Sequence, residues 1–365
     1  MQFITNIFKS NKSQNAQNYA KKSYNPYITM TTGGGTAQWS GCDYDASSKN
    51  GYMTNPIMYS CIRMITDGAS RVPITLLKDQ KPLINHPLLS LLQSPSHDCD
   101  GRFFKNALFN HLLLSGNAYI DCVRDNDDTN SLPKALFLLR PDRMTCVTDQ
   151  QGSVTHYKYQ AGKIQKHYPK ERILHLKLFS PNDDYYGCAP THAAWRAVEL
   201  HNEATIFQKA LLDNAARPSG CLIYSGLPGA PNLTENQFMR LKSELHEHYA
   251  GAASAGRPMV LEGGLDWKSM SLSPNDMGIS TMRHDAAREI ALAYGVPPML
   301  LGIPGDNTYS NYQEAIRVFT RNTLIPVAET FYDALTHKIL RHHDHNLRIE
   351  INRTQISDIF TDYLS

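Results

Sequence analysis

Two helical patterns joined by a segment rich in proline and glycine fill residues 273–341, and they most constrain how the chain can fold. The first pattern is predicted to begin at Ser273, which can act as a helix N-cap. It is predicted to end at Gly295, because glycine readily adopts the left-handed conformation that terminates helices. Two prolines follow at once and cannot continue the helix, since proline lacks the donor N–H. Residues 296–310 are therefore predicted to form a loop between two helices.

The second helical pattern is unusually long. Ser310 and Gln313 form a capping box, and apolar residues then recur every three or four positions as far as Ile339. A helix over residues 311–342 would extend roughly 45 Å at 1.5 Å per residue. Pro326 predicts a kink near its middle, because it breaks the hydrogen-bond ladder. Helices of this length are typical of subunits that reach across their neighbours in an assembly.

The rest of the chain alternates between helical and strand patterns. Asn55 and Asp100 are predicted N-caps, and a further helix is predicted over residues 86–92. Between residues 132 and 179 the hydrophobic period changes to two, and turn residues separate the short runs, which predicts an antiparallel meander. Residues 1–50 are rich in Asn, Ser, Gly and Lys and show no lasting period, which predicts a flexible arm.

The helix predicted to start at Pro190 carries apolar residues at alternating spacings of four and three. This heptad spacing predicts a helix that packs lengthwise against other helices, rather than a short surface helix. The residues of this seam are Ala193, Ala197, Leu200, Ala204, Phe207 and Leu211.

Composition argues against several classes of protein. The 365 residues carry 36 basic and 34 acidic side chains, so the net charge of +2 is far from that of a protein that grips nucleic acid through its phosphates. Seven scattered cysteines without a C-x-x-C pair favour reduced thiols in the cytoplasm. No apolar run reaches the roughly 20 residues of a membrane span. A short membrane-surface anchor at residues 3–8 is a less favoured alternative.

No arrangement of residues predicts catalysis. The sequence contains neither the phosphate-binding G-x-x-x-x-G-K-[ST] pattern nor the G-x-S-x-G nucleophile elbow. Histidines cluster near the end of the second long helix, where the helix dipole favours a solvated positive end over a metal site. We therefore expect a non-enzymatic protein with no metal and no cofactor. The clustered histidines are His337, His342, His343 and His345.

The loop and its flanking helices lie within EIALAYGVPPMLLGIPGDNTYSNYQEAIRVFTRNTLIPVAETF. This stretch resembles the segment of portal proteins, from tailed bacteriophages and gene transfer agents, in which a helix ends at a G-V-P-P turn and a loop leads into a long helix with a central proline. Four earlier stretches resemble the family in the same order, so the resemblance covers most of residues 52–340. These stretches are NPIMYSCIRMITDGASRVPITLL, HPLLSLLQSPS, LLLSGNAYIDCVRD and YYGCAPTHAAWRAVEL.

The resemblance implies an α+β portal fold with a helical stem, an α/β clip, a β-containing wing and a short C-terminal crown. Each part corresponds to a segment of this chain. The segments are a flexible N-terminal arm (1–50), a wing of helices and an antiparallel β meander (51–189), the first stem helix (190–218), a β-α-β-β clip (219–272), the second stem helix (273–295), the tunnel loop (296–310), a long kinked wing helix (311–342), and a short C-terminal crown or tail (343–365).

In portal proteins, the loop that corresponds to residues 296–310 projects into a central channel and touches the passing DNA duplex. The resemblance implies DNA contact here, although the loop carries Asp306 and no Lys or Arg. We therefore expect steric and weakly polar contact rather than attraction to phosphate. The residues expected to face DNA are Gly302, Ile303, Pro304, Gly305, Asp306, Asn307, Thr308 and Tyr309.

The resemblance also implies a function. It implies a homo-oligomeric ring of twelve subunits at the portal vertex of a virion, assembled in the host cytoplasm and in contact with no membrane. The ring would admit double-stranded DNA without sequence specificity during packaging and release it during ejection. The implied protein partners are the large terminase subunit, a head-to-tail adaptor and the major capsid protein. The residues themselves leave a rival open, namely a structural or scaffold protein that oligomerises through its heptad seam and has no DNA channel.

Overall fold

The chain folds into helices and antiparallel sheets, in agreement with the predicted α+β class. The structure is a computed structural model, and it describes residues 18–19, 41–125, 131–213, 220–224, 234–249, 265–269, 278–304 and 309–356. The helices in these residues are α1 Tyr44–Ala46, α2 Pro56–Ala69, α3 Pro87–Gln93, α4 Gly101–Ser115, α5 Pro190–Asp213, α6 Glu235–Tyr249, α7 Ile279–Ala293, α8 Tyr309–Phe319, α9 Ile325–Leu335 and α10 Arg341–His343.

Short strands form the sheets of the molecule. They are β1 Asn18–Tyr19, β2 Ile74–Lys78, β3 Lys81–Leu83, β4 Asn117–Val123, β5 Ala135–Leu139, β6 Met144–Thr148, β7 Val154–Ala161, β8 Ile164–Pro169, β9 Ile173–Lys177, β10 Gly220–Tyr224, β11 Leu265–Ser269 and β12 Leu347–Ile351. The strand orders are β1-β6-β7-β8, β5-β4-β9, β12-β2-β3 and β10-β11. Every pair in the described part of the chain is antiparallel, as expected of an α+β rather than an α/β protein.

Helices α2 and α4 begin where the sequence predicts them, because side chains there satisfy free backbone N–H groups. The side chain of Asn55 accepts hydrogen bonds from the N–H groups of Ile57 and Met58, both at 3.0 Å, at the start of α2. Asp100 caps α4 in the same way. Helix α4 ends at Gly116, whose φ of 73° is left-handed. A Cβ at this glycine would lie 2.5 Å from a neighbouring carbonyl oxygen, so a larger residue would displace the backbone.

The β-rich region is divided between two sheets, which corrects the prediction of one meander over residues 132–179. Strands β6, β7 and β8 do follow one another as a meander. Strands β5 and β9 instead lie on the two edges of β4. All of β4 except Val123 is buried, and a buried strand needs a neighbour on each edge to satisfy its backbone polar groups. Periodicity indicates which face of a strand is buried, but it does not indicate which strand is the neighbour.

Strand β12 completes the sheet of β2 and β3, which corrects the prediction of a crown or tail for the described residues of 343–365. Strand β12 pairs with β2, and its Ile351 lies opposite Ile74. Leu347 and Ile349 are buried, at 3% and 5% exposure. Because β3 occupies the other edge of β2, the pairing with β12 leaves β2 without an open edge. The last nine residues lie outside the described part of the chain.

The folded chain begins earlier than the predicted arm over residues 1–50 allows. Residues 41–52 contain α1 and a following π-helical turn. Cys42 is 5% exposed, and its sulfur lies 3.3 Å from the buried Ser47 hydroxyl. A polar composition did not predict this burial, because the contact partners lie far away in the sequence. Of the first 40 residues, the structure describes β1 alone, paired with β6.

Hydrophobic clusters hold the helices against the sheets. One cluster packs α4 and α9 against β2, β4 and β12, and its Phe109 and Phe331 rings meet edge to face with centroids 6.3 Å apart. Another joins α2, α5 and α7 around Trp195, which is 1% exposed. A smaller cluster of tyrosines, including Tyr119 and Tyr157, lies where β4 meets β6 and β7. Helices α2 and α4 of the predicted wing and α5, the predicted first stem helix, therefore contribute to one hydrophobic cluster.

Acidification is expected to weaken the fold through His111 on α4. Burial lowers the pKa of His111 from 6.5 to about 4, while Asp142 raises it and Arg140 lowers it by smaller amounts. Its Nδ1 lies 3.0 Å from the Tyr44 hydroxyl. Below pH 6.5 the unfolded chain binds this proton and the folded chain does not, so stability present above that pH is lost as the pH falls towards 4. The loss is about 3 kcal/mol at 1.36 kcal/mol per pH unit.

Urea unfolding at neutral and acidic pH measures this loss. The variant His111→Gln is expected to lose about 3 kcal/mol less than the wild type between neutral pH and pH 4. The control His97→Gln, at a side chain that is 99% exposed, should show the wild-type loss. An identical loss in all three proteins would mean that His111 does not govern the acid response.

Candidate functional site

Helices α5 and α7 lie side by side and form the framework of the candidate site. Helix α7 buries Ala286, Ala287 and Ala291, and small side chains let two helix backbones approach closely. About one turn before these alanines, Arg283 Nη1 donates a hydrogen bond of 2.6 Å to Gln208 Oε1 of α5. The packed alanines and this hydrogen bond hold the two helices together as one rigid unit, which is called the rod below.

Helix α5 buries a face that only partly coincides with the predicted heptad seam. Ala197 and Ala204 are buried, at 4% and 3% exposure. Leu200 is half-buried, Ala193 is exposed, and Phe207 is 44% exposed. The side chain of Leu211 lies outside the described residues. Packing of the exposed seam residues against another subunit stays a prediction.

Sequence reasoning missed the residues that anchor α5 within its own subunit. They follow a helical period of 3.6 that is offset from the heptad seam, and Trp195 is the bulkiest of them. These residues are spaced three or four positions apart in the sequence, as expected of a buried helix face. The overlapping heptad spacing of the seam was chosen as the buried face instead. These buried residues are Thr191, Ala194, Trp195, Val198 and His201.

A buried polar contact ties α5 to the start of α2. His201 is 4% exposed, and the side-chain amide of Asn55 donates to His201 Nδ1 at 3.3 Å and to Asn202 Oδ1 at 2.9 Å. Burial lowers the pKa of His201, and Arg283 lowers it further. The imidazole is therefore neutral at pH 7 and acts as a hydrogen-bond acceptor. Its role is to orient the Asn55 cap rather than to supply charge.

Helix α7 begins later than the predicted cap at Ser273. Its first residue is Ile279, and the preceding Gly278 has a φ of 61°, a left-handed conformation that an α-helix does not include. Ser273 and Pro274 lie outside the described residues. Of the second stem helix predicted over residues 273–295, the structure describes α7, Ile279–Ala293.

A Schellman motif ends α7 at the predicted glycine. Gly295 has a φ of 67°, its N–H donates to Leu292 O at 3.0 Å, and the N–H of Val296 donates to Ala291 O at 2.9 Å. The long helix also contacts this turn, because Thr323 Oγ1 donates a hydrogen bond of 2.7 Å to Gly295 O. The start of the loop is therefore fixed to both helices that it connects.

The described half of the predicted tunnel loop is folded, which corrects the expectation of an unstructured segment over residues 296–310. Pro298–Leu301 forms a 3₁₀ turn that ends at Gly302, where φ is 69°. Ile303 is 6% exposed, and Arg288 of α7 donates to the carbonyl of Pro304. These contacts exist because Leu300 and Leu301 pack against the cluster around Trp195.

The eight residues expected to face DNA differ in their exposure, and some of them lie outside the described part of the chain. Gly302 and Pro304 are exposed, whereas Ile303 is buried within the subunit and presents little surface to a duplex. Residues 305–308 lie outside the described part of the chain. Tyr309 is the first residue of α8 rather than a loop residue, one position earlier than the predicted cap. DNA contact by any of the eight stays a prediction.

The long helix runs without interruption from Tyr309 to His343, as the sequence predicts. A π-helical turn, Thr320–Leu324, lies directly before Pro326. This wider turn accommodates a proline, which has no N–H to donate. Leu324, in the same turn, is 1% exposed, and its side chain lies against Gly68 of α2, where a Cβ would be only 2.6 Å away. The irregular turn thus brings the long helix against α2.

Comparison with known protein families decides the identity of this chain. The family model described as "Phage portal protein" matches residues 56–363, a range that contains α5, α7, the loop and the whole long helix. The chain belongs to the phage portal protein family.

Curated relatives of this portal protein include one from Rickettsia bellii (strain RML369-C), described as an "Uncharacterized protein". The two are 38% identical over 314 residues, which are 84% of this chain and 80% of the relative. The portal protein of Enterobacteria phage HK97 is 25% identical over 252 residues, 67% of this chain and 57% of that protein.

Solved structures similar to this portal protein include chains of gene transfer agent particles. A chain in the neck of an empty particle, computed with C6 symmetry, shares 38% identity and a TM-score of 0.70 over 92% of this chain and 91% of that chain. A chain in the neck of a native particle, computed with C12 symmetry, shares 37% identity and a TM-score of 0.67 over 93% and 92%. An HK97 family phage portal protein from Corynebacterium diphtheriae, at 12% identity and a TM-score of 0.61, shares the fold.

The segment predicted to be the clip, residues 219–272, contains β10, α6 and β11 in its described part. Strands β10 and β11 pair with Gly220 opposite Ser269. The other predicted strand, RPMVLEGG, lies outside the described residues. Helix α6 exposes Phe238 and Met239, at 52% and 56%, and adjacent exposed apolar side chains are typical of surfaces that contact another protein.

The described residues form neither a metal site nor a membrane-spanning helix. In the described ranges, no group of three or more His, Cys, Asp or Glu side chains is arranged to hold a metal ion. His337, His342, His343 and His345 are exposed at the end of the long helix. The helices of the described part are each too short or too polar to cross a membrane.

Proposed function

We propose that this portal protein forms a closed ring at one vertex of a capsid and that the ring is a channel for double-stranded DNA. The observation that carries the proposal is the similarity of 92% of this chain, at 38% identity, to a chain in the neck of a gene transfer agent particle. DNA would enter through the ring during packaging and leave through it during ejection. The role is structural, and we assign it no reaction and no cofactor.

A ring of twelve subunits fits the symmetry of the related particles. The two similar necks were computed with C6 and C12 symmetry, and twelve copies satisfy both. In such a ring each interface joins two different surfaces of the same chain, so closure depends on a fixed angle between neighbours. The rod formed by α5 and α7 provides a rigid element of this kind.

The segment between α7 and α8 is proposed to meet the DNA. The described residues on either side of 305–308 are fixed to helices, since Arg288 of α7 donates to the carbonyl of Pro304 and Tyr309 begins α8. Residues 296–310 contain no Lys or Arg. A ring of such loops would bear on the duplex sterically without binding its phosphates, which suits a channel in which DNA must slide.

The protein partners follow from the position proposed for the ring. The major capsid protein would surround it at the virion vertex, and assembly would take place in the host cytoplasm. The clip would dock the large terminase subunit during packaging and the head-to-tail adaptor afterwards. Exposed Phe238 and Met239 on α6 support a docking surface there, because partner interfaces concentrate apolar residues.

Electron microscopy of the purified protein tests the proposal. Particles viewed end-on should show closed rings with a pore wide enough for duplex DNA. Oligomers without a pore would overturn the channel and favour the rival reading of a scaffold protein that associates through α5.

The loop prediction separates channel function from assembly. Replacing Asp306, Asn307 and Thr308 together with Ala keeps the loop length and the folded base, so rings should form as in the wild type. The amount of DNA retained in particles is expected to fall about tenfold, because the loops would no longer fill the gap around the duplex. Nuclease-protected DNA per particle measures this. The control replaces three exposed residues at and after the turn between β7 and β8, Lys163, Gln165 and Lys166, with Ala.

Normal DNA retention in rings with the altered loop would remove residues 305–308 from the channel function. Failure of those rings to assemble would show instead that the loop has a structural role. The two outcomes are distinguished by electron microscopy of the empty rings.

A further inference from the structure

A groove beside α3 combines an apolar rim with a lysine that has no acidic partner among the described residues. The groove has a volume of 770 Å³, which is within the size range of sites that enclose a ligand. Strand β2, the segment before α3, α3 itself, α4 and α9 contribute to its walls. The residues used below are Ile74, Ile84, Lys105 and Tyr332.

The apolar part of the groove is unusually exposed. Ile84 is 87% exposed on the rim, although a large aliphatic side chain normally gains free energy from burial. Tyr332 lies on the floor at 2% exposure, and the structure shows no hydrogen bond between its hydroxyl and any described residue. A tyrosine buried to this degree normally has a hydrogen-bond partner. The groove therefore offers both an apolar contact and a free hydroxyl.

Lys105 adds a positive charge to the wall of the groove. Its side chain is partly buried on α4, and within the described ranges no carboxylate forms an ion pair with it. Burial lowers the pKa of Lys105, and Arg102 lowers it further. An ammonium group that has lost part of its hydration is stabilised by any carboxylate that approaches it. An occupant of the groove should accordingly be acidic as well as apolar.

The described chain ends close to this groove. The last residue of β12 pairs with Ile74, which lines the groove. Arg353 then approaches Glu329 at 3.5 Å, one helical turn before Tyr332 on α9. Ile356 is 9% exposed and belongs to the same hydrophobic cluster as Tyr332. The next nine residues can reach about 30 Å if extended, enough to cover the groove.

Residues 357–365 have the composition that the groove requires. Their sequence, SDIFTDYLS, contains no basic residue. Asp358 and Asp362 are four positions apart, and two apolar or aromatic residues follow each of them. We propose that residues 357–365 bind in this groove of their own subunit, with an aspartate carboxylate against Lys105 and apolar side chains against Ile84 and Tyr332. The bound segment fastens the sheet that contains β12 to α9, independently of the proposed DNA channel.

Hydrogen exchange of the full-length, monomeric protein tests this docking. The amides of residues 357–365 should exchange about tenfold more slowly than those of the free peptide SDIFTDYLS, because docking withdraws them from water. The variant Lys105→Glu should bring the exchange back to the rate of the free peptide. The matched control Lys163→Glu, on an exposed turn, should retain the wild-type protection.

The second measurement is hydrogen exchange of a variant in which the charges of Lys105 and the two aspartates are exchanged. Adding Asp358→Lys and Asp362→Lys to the Lys105→Glu variant should restore slow exchange, which a general defect in folding could not do. Exchange of the wild-type segment at the rate of the free peptide would overturn the proposal, as would protection that survives Lys105→Glu. Protection that appears only in rings would also overturn it, since the occupant would then come from a neighbouring copy.

Discussion

The substitution Phe207→Asp is expected to prevent this portal protein from forming rings while each subunit stays folded. Phe207 is 44% exposed on α5 and its neighbour Ile206 is 59% exposed, so an aspartate changes the stability of the isolated subunit by about 0.5 kcal/mol or less. In a ring, the carboxylate would enter every subunit interface. Burying it there without a partner costs roughly 3–5 kcal/mol at each interface.

The matched control is Ala204→Asp on the same helix. Ala204 is 3% exposed inside the subunit, so this carboxylate should unfold the stem pair instead of blocking association. Light scattering after size-exclusion chromatography reports the mass of the assembly, and circular dichroism reports the thermal midpoint of the subunit. Rings of Phe207→Asp that form at wild-type concentrations would show that this side chain faces solvent in the assembly.

Ending the chain after Asn346 is expected to unfold the sheet of β2 and β3 and the helices α4 and α9 that pack against it. The deletion removes β12 together with Leu347, Ile349 and Ile356, which are 3%, 5% and 9% exposed. Each of these side chains contributes about 1.5–3 kcal/mol by burial, so the three contribute about 5–9 kcal/mol. A domain is stabilised by roughly 5–15 kcal/mol in total, and the loss is of the same size.

A shorter deletion, after Ile356, is the control for this truncation. It keeps β12 and its buried residues, so the protein should remain folded and lose only what the last nine residues contribute. Urea unfolding followed by tryptophan fluorescence compares the two, because Trp195 is buried in the core. Equal stability of both truncated chains would mean that β12 is not needed for the fold, contrary to the sheet order β12-β2-β3.

Local signals in the sequence were reliable where one side chain and its own backbone decide the outcome. Asn55 and Asp100 cap helices because their carbonyl and carboxylate oxygens reach N–H groups two and three residues ahead. Gly295 ends α7 because it tolerates a positive φ. The continuity of the long helix through Pro326 was also predicted, although the π-helical turn that permits it was not.

Contacts between distant segments explain the predictions that were wrong. The tunnel loop was expected to be unstructured from its prolines and glycines, yet Arg288 and Thr323 hold its base from helices on either side. The heptad seam of α5 is buried within the subunit only at Ala197 and Ala204 among its described side chains, and the subunit also buries Trp195 and its neighbours on an adjacent face, which the sequence did not predict. In each case the pattern was present in the sequence, but the partner surface was not.

The sequence by itself determined helices α5 and α7, the connection from α7 to the long helix, the α+β class and the resemblance to portal proteins, because these depend on periodicity, capping and short motifs. Only the tertiary structure decided that β12 joins β2, that β4 separates β5 and β9, and that residues 41–52 are part of the core. The physical reason is that a strand carries the same alternating pattern whichever neighbour it pairs with. The choice of neighbour is made by the free energy of burying whole faces across long separations in the chain.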